Sequence, residues 1–326
     1  MAKTHYNQVK SVMGLSRGRR NAYYICLTDD VDVMSRIPYL FIVPAVIAVF
    51  GIGLLPIAHS IYLSLTSFSV LSPEPQFVGI QNYVTLLRDP IFYNAAGVTT
   101  IWVVGTVVIE FVVGLFLALL MFGEFKGRRV FENILLAPLA ISPIVMGVLF
   151  SPNVLLDDLN TLLFYGLGTG LFIDVNQPFV YYGMMILADA FVWAPLLMLV
   201  MLAIMQNIPK ENFEAANVYG ASSFQTFRRV TFPAIIYSPV LATILILRVI
   251  DSFRAYEIPF TWSFWIGQER LGSPIDTFSV LMFKLFFLRT DLPLSYIATI
   301  AMVLLVISIS VALLITRFAT RSWEGS

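Results

Sequence analysis

Ionisable side chains are scarce in this chain, and those that interrupt its apolar runs are spaced so that they can act together. Arg248, Asp251 and Arg254 follow one another at i, i+3 and i+6. On a helix they lie along one face, close enough for Arg248–Asp251 and Asp251–Arg254 pairs. Such a ladder can offer planar hydrogen-bonding groups to a polar solute. Alternatively the three neutralise one another, or pair with Glu257, only to hold the helix. Asp189 has Trp193 four residues on, on the same helical face. A carboxylate beside an indole can bond hydroxyls of a solute while the ring stacks on its apolar face. The other reading makes Asp189 an interhelical partner for an arginine such as Arg248, with Trp193 toward lipid. Glu110 reads as a tie between helices. A charge at the centre of a membrane helix costs roughly 2.5–3.5 kcal/mol on insertion scales, so each of these residues is a candidate for function.

The elements that must carry them are membrane helices. Of 326 residues, 58% are hydrophobic and 12% charged, where a soluble domain carries about a quarter charged. The apolar residues gather in runs able to cross a hydrocarbon core of about 30 Å, which needs roughly 20 helical residues. The sequence predicts six spans: Ile37–Leu65, Asn94–Phe122, Val130–Phe150, Phe179–Met205, Ala234–Trp262 and Leu294–Ile315. Prolines interrupt the first at Pro38, Pro44 and Pro56 and the fourth at Pro195. At about 1.5 Å per residue from Ala234, Arg248 lies roughly 21 Å along the fifth span, Asp251 roughly 26 Å and Arg254 roughly 30 Å.

Lysine and arginine set the orientation. Residues 1–36, the loop between spans two and three (Lys126, Arg128, Arg129), the loop between spans four and five (Lys210, Arg228, Arg229) and the C-terminal end (Arg317, Arg321) hold most of them. The opposite loops hold Arg88, Arg270, Lys284 and Arg289. The positive-inside rule puts the richer side, and with it both termini, in the cytoplasm. Residues 1–36 are then a cytoplasmic segment, 37–320 the transmembrane domain and 321–326 a cytoplasmic tail. The first apolar run is too long and too late for a cleavable signal. Three outer loops remain, Thr66–Tyr93, Ser151–Pro178 and Ser263–Pro293. In the last, Phe278–Leu288 is apolar but too short to span and reads as interfacial or re-entrant. Trp262 and Trp265 suit the outer membrane interface. A net charge of zero with no basic stripe argues against nucleic acid. The single cysteine, Cys26, and the distant His5 and His59 offer neither an intrachain disulfide nor a cysteine or histidine metal site.

The cytoplasmic loop 207–233 is longer than a connector needs and is internally well formed. Pro209 stands at a first helical position, and Glu211 and Glu214 lie in the first turns, where acids suit the helix dipole. Ala215 and Ala216 make a slim surface that another protein can approach. Gly220 can end the helix in a left-handed conformation, Ser222 or Ser223 can cap the next, and Phe224 and Phe227 share a face of it. Pro233 marks the return into the bilayer.

The string Glu214-Ala215-Ala216, three residues, Gly220-Ala221, five residues, Phe227, two residues, Val230, two residues, Pro233 resembles the EAA loop of ABC importer permeases. It lies in the cytoplasmic loop before the second-last span, as in that family, with Tyr219 where the family usually has Asp. Ile109–Leu115 and Arg248–Arg254 resemble core helices of the carbohydrate branch, the maltose/trehalose type that depends on a binding protein. The resemblance implies an all-α, six-helix type I importer permease that is not itself an enzyme. The chain has no G-x-x-x-x-G-K-[ST] sequence and so no ATP site of that kind. By the resemblance, Glu214, Ala215, Ala216, Gly220, Ala221 and Phe227 couple to a separate ATPase, which binds ATP and Mg. The substrate path takes in Asp189, Trp193, Arg248, Asp251 and Arg254. The partners implied are a second, similar permease, two ATPase subunits and an external solute-binding protein in a prokaryotic inner membrane; the family allows both homo- and heterodimers, and the extended N-terminal helix and outer loops suggest that the second permease is distinct. The same family would also suit glycerol phosphate or another polar solute. An ion-coupled secondary transporter would need symmetry between halves, which the sequence lacks.

Overall fold

The computed structural model describes residues 20–69, 71, 74–123, 125–168, 173–174, 177–265, 267, 270–288 and 294–324, with side chains described between 42 and 317. The expected N-terminal segment up to residue 19 and the last two residues of the tail lie outside the described residues. The chain divides into residues 1–59 and residues 60–326. Helix α1 (Arg20–Ser64), of which the residues up to 59 belong to the first unit, runs on without a break through Pro44 and Pro56. It exposes Ile47, Ile52 and Leu55.

The second unit is a helical bundle. Its helices are α2 (Gln81–Leu86), α3 (Pro90–Phe122), α4 (Arg128–Leu136), α5 (Pro143–Leu149), α6 (Asp157–Thr161) and α7 (Pro178–Gln206). They are followed by α8 (Lys210–Val218), α9 (Ser223–Thr226), α10 (Phe232–Ile236), α11 (Pro239–Phe253), α12 (Glu257–Trp265), α13 (Phe278–Leu288) and α14 (Leu294–Glu324). Helix α3 starts where Pro90 takes the first helical position and the Asp89 carboxylate accepts from the Ile91 N–H at 2.9 Å.

Four helices are each long and apolar enough to cross a membrane, at Ile42–Ser64, Pro90–Phe122, Pro178–Gln206 and Leu294–Arg317. They match the first, second, fourth and sixth expected spans. The third and fifth are not the straight helices that the apolar runs suggest. Arg128–Ala140 and Pro143–Gly166 meet at 97°, and Ser223–Ile236 and Pro239–Trp265 meet at 61°. Both breaks fall at a Ser-Pro step. Ser142 (ψ 137°) and Ser238 (ψ 126°) are extended, because a proline ring disfavours the helical region for the residue before it. The helical path after Pro143 also runs to Gly166, well into the stretch read as a loop.

Helices α3 and α7 form the spine. A Cβ on Gly114 would stand 2.8 Å from the Leu197 Cβ and 3.2 Å from the Ala194 carbonyl oxygen. Glycine there lets the two backbones close, as small residues do in membrane bundles. One core cluster gathers Trp102, Met185, Trp262, Leu281 and Ile300; the other gathers Ala118, Met198, Met201, Ile235 and Leu241. Trp262 is fully buried, which corrects its assignment to the membrane interface: its ring fills the bundle rather than a water boundary.

The apolar stretch Phe278–Leu288 is helical and docked, with Phe278, Leu281 and Leu285 buried. The loop before it is tied to two helices and to the segment between α11 and α12. Asn94 of α3 donates to the Ser273 carbonyl at 2.9 Å, Tyr182 of α7 donates to the Pro274 carbonyl, and Thr277 donates to Ala255, just beyond α11, at 3.0 Å. Lys284, counted with the charges of the outer loops, is buried and donates to Asp276 at 2.6 Å. Burial pushes the Asp276 carboxyl above the usual carboxylate range, and Lys284 pulls against it.

Candidate functional site

Every fourth residue of α3 from Trp102 is buried: Trp102, Thr106, Glu110, Gly114 and Ala118. This row lies against α7 and α11, and at its middle Glu110 meets Arg248. Arg248 Nε donates to Glu110 Oε2 at 2.7 Å, and Nη2 donates to Glu110 Oε1 at 2.6 Å and also to Asp189 Oδ2. Nη1 donates to Asp251 Oδ2 at 2.9 Å. The guanidinium carbon sits 4.8 Å from the centre of the Trp193 ring, within cation–π range. Arg254, 75% exposed, reaches Asp251 only at 3.8 Å.

One arginine thus gathers carboxylates from three helices. Arg248 pairs with Asp251 along one face, Arg254 approaches the same carboxylate more loosely, and Arg248 is also the interhelical partner of Asp189. Trp193 lies over that arginine, half-buried, rather than simply facing lipid. Glu110 ties helices together. A buried charge network is tolerated only where each member is bonded, and this one is. Thr106 and Ser252 hydroxyls lie 3.3 Å apart beside it and extend the polar seam between α3 and α11.

A cavity of about 120 Å³ opens on this network, and all five residues singled out for a substrate path, Asp189, Trp193, Arg248, Asp251 and Arg254, line it. Trp102 and Glu257 line it as well. Trp102 escaped the sequence reading, although its place eight residues before Glu110 puts it on the same helical face. Among the described residues no group of three or more His, Cys, Asp or Glu is arranged to hold a metal.

At the far end of α7 stands a separate feature. Pro209 occupies the N-cap, one residue outside the helix rather than first in it. Helix α8 then carries Glu214 and Ala215 exposed and Ala216 half-buried, and Phe213 leans on Phe122 of α3 with ring centres 6.0 Å apart. Gly220 adopts φ +68°. The Ala221 N–H reaches the Ala216 carbonyl at 2.9 Å and the Gly220 N–H reaches Asn217 at 3.0 Å, which is a Schellman stop. Ser222 begins α9 in a capping box with Gln225. Phe227 packs on Phe232 with ring centres 5.7 Å apart, whereas Val218, Tyr219 and Phe224 stay exposed. The helical path continues through Pro233, and the sharp turn comes at Ser238. All six residues singled out for coupling therefore sit on one short hairpin.

Residues 110–323 match the family model described as binding-protein-dependent transport system inner membrane component. The trehalose/maltose transport system permease protein MalF of Thermococcus litoralis is 31% identical over 69% of this chain and 76% of its own length. The arabinooligosaccharides transport system permease protein AraP of Bacillus subtilis is 31% identical over 68% of this chain and 70% of its own. Among solved structures, a chain of a bacterial ABC transporter involved in the import of the acidic polysaccharide alginate superposes with a TM-score of 0.72. It has 21% identity, and the match covers 90% of this chain and 98% of that one.

Proposed function

The chain belongs to the family of binding-protein-dependent transport system inner membrane components, and we propose that it forms one half of the pathway through which an ATP-driven importer carries a sugar. The family is one of ABC permease subunits, which are generally not catalytic. The observation that carries the coupling part of the reading is the hairpin 209–227. It is rigidly capped, projects from the end of α7 and keeps Glu214, Val218, Tyr219 and Phe224 exposed.

In this account the hairpin seats in a cleft of a separate ATPase subunit, which holds ATP and Mg. Nucleotide-driven closure of two such subunits pulls on α8, and Phe213 against Phe122 passes the pull into α3. Since α3 and α7 touch at Gly114, the displacement reaches Glu110, Asp189 and Arg248 and alters access to the cavity beside them. A solute-binding protein delivers cargo from outside. A distinct second permease completes the pathway, and the termini of this chain lie in the cytoplasm. Sugar as cargo is supported by the names of the relatives and by a cavity that sets Trp193 beside carboxylates and guanidinium groups, a surface suited to a ring with hydroxyls.

The test is uptake into proteoliposomes holding the complete assembly, with maltose, trehalose and an arabinose oligosaccharide as probes. ATP-dependent accumulation of at least one supports the reading. Uptake that ignores ATP and follows an imposed proton or sodium gradient contradicts it. A transport-competent assembly built from this chain and ATPase subunits alone would remove the distinct second permease.

A further inference from the structure

A second cavity, of about 620 Å³, shares no residue with the one beside Arg248. Ile91, Leu271, Leu281 and Leu285 give it an apolar lining, and Arg88 and Asp89 bring opposite charges to its wall. Its depth follows from the helices that meet there. Pro90 opens one helix long and apolar enough to cross a membrane, and Leu294 opens another. The Tyr296 hydroxyl donates to the Asp89 carboxylate, so the two helices start at the same level. The cavity therefore lies where the bundle passes from hydrocarbon to water, at the depth of phospholipid headgroups.

The two charges differ in how they are held. Asp89 Oδ1 accepts from the Ile91 N–H at 2.9 Å and Oδ2 accepts from Tyr296, yet each carboxylate oxygen keeps room for a further donor. Arg88 is exposed and makes no ion pair among the described residues. Phe77, Ile80, Leu87 and Tyr93, on the same stretch of chain, are each more than half exposed. Large apolar side chains gathered in this way mark a surface that water does not cover, and tyrosine is common at membrane boundaries. A cation and an anion on neighbouring residues, beside an apolar hollow at headgroup depth, match a lipid that carries both charges and a chain.

We propose that this cavity holds one aminophospholipid of the phosphatidylethanolamine type. Its phosphate bonds the Arg88 guanidinium, its ammonium donates to Asp89, and an acyl chain lies against Ile91, Leu281 and Leu285. Through Asp89 the lipid touches both the start of α3 and Tyr296 of α14, so that its occupancy steadies the junction of two membrane helices. The inference needs only that the chain spans a membrane and is independent of the cargo.

The test is native mass spectrometry of the complete assembly, delipidated in mild detergent and titrated with phosphatidylethanolamine, phosphatidylcholine and phosphatidylglycerol of identical acyl chains. Phosphatidylethanolamine is expected to bind at least threefold more tightly than the other two, since choline has no N–H to give Asp89 and glycerol has no cation. Arg88→Gln is expected to weaken its binding about tenfold, the worth of one charge-assisted hydrogen bond. Asp89→Asn keeps an acceptor for the Ile91 N–H and is expected to erase the preference over phosphatidylcholine. Arg88→Gln alters an exposed side chain without internal ion pairs, and so guards against loss of folding in the other variant. Equal binding of the three lipids, or binding of phosphatidylethanolamine that Arg88→Gln leaves unchanged, overturns the proposal. Displacement of the lipid by an equal concentration of glycerophosphoethanolamine, which has no acyl chains, also overturns it. So does efficient crosslinking of Arg88→Cys to a partner protein that added phosphatidylethanolamine does not block, because the cavity is then a protein interface.

Discussion

Arg248 and Glu110 meet as a two-pronged pair across the α11–α3 contact, with Nε and Nη2 at 2.7 and 2.6 Å from the two carboxylate oxygens. The same guanidinium also answers Asp189 and Asp251. Breaking a buried pair from one side costs about 3–5 kcal/mol, because the remaining charge is left uncompensated. Arg248→Leu, which strands several acids at once, is expected to lower the unfolding midpoint in detergent far more than Glu110→Gln, which keeps a bonded amide. Equal midpoints for the two variants would show that the network carries no such load.

The closeness of α3 and α7 depends on Gly114. Adding a methyl group there meets backbone at 3.2 Å and a side chain at 2.8 Å, and overpacking of this kind costs about 1–3 kcal/mol. Gly114→Ala is expected to lose that much stability and to slow cargo-stimulated ATP hydrolysis. Gly97→Ala, with nothing within 4 Å of the new atom, serves as the control and is expected to behave as wild type. A control as damaged as Gly114→Ala would remove the packing argument.

At Gly220 space is not the issue. No atom lies within 4 Å of an added Cβ, but φ is +68°, and a left-handed residue other than glycine costs roughly 1–2 kcal/mol. Gly220→Val is expected to leave the bundle folded, with unchanged elution volume and a midpoint lowered by no more than that local cost, while weakening ATPase association. A collapse of the whole chain in this variant would contradict a strain confined to the turn.

Lys284 opposes the upward push that burial gives Asp276. In Lys284→Met that opposition is gone, so the folded chain holds the Asp276 proton more tightly than the unfolded chain does. More protons bound in the native state means that stability falls as pH rises through the raised folded value. The variant is therefore expected to be least stable at neutral pH and to recover as pH falls toward about 4, the ordinary carboxylate value. A stability deficit that stays constant between pH 7 and pH 5 would count against this.

Much of the fold and of the site is legible in the amino-acid sequence. The hairpin was legible because its signals are local: Gly220 stops one helix and Ser222 starts the next. The polar residues were legible as expensive exceptions in apolar runs. Pairing of Arg248 with Asp251 or Asp189 was legible as well, but the arrival of Glu110 on the same guanidinium was not, since spacing along one helix says nothing about which face of another it meets. Trp262 was misread because an aromatic side chain looks the same in sequence at a membrane boundary and inside a bundle. The breaks at Ser142-Pro143 and Ser238-Pro239 carried a backbone signal, but hydropathy averages straight through a single extended residue. Lys284 went unrecognised because its acid, Asp276, lies in a loop whose fold no periodicity describes.

The central claim is that the hairpin couples this chain to an ATPase, and the most direct measurement is co-purification from membranes followed by ATPase assay in lipid. Wild type is compared with Glu214→Lys and Gly220→Asp, two variants confined to the hairpin. The account predicts that wild type brings down an ATPase whose activity responds to cargo, and that each variant loses the association or the response while remaining folded. No ATPase with the wild-type chain, together with solute movement by the variants on an ion gradient, would contradict it.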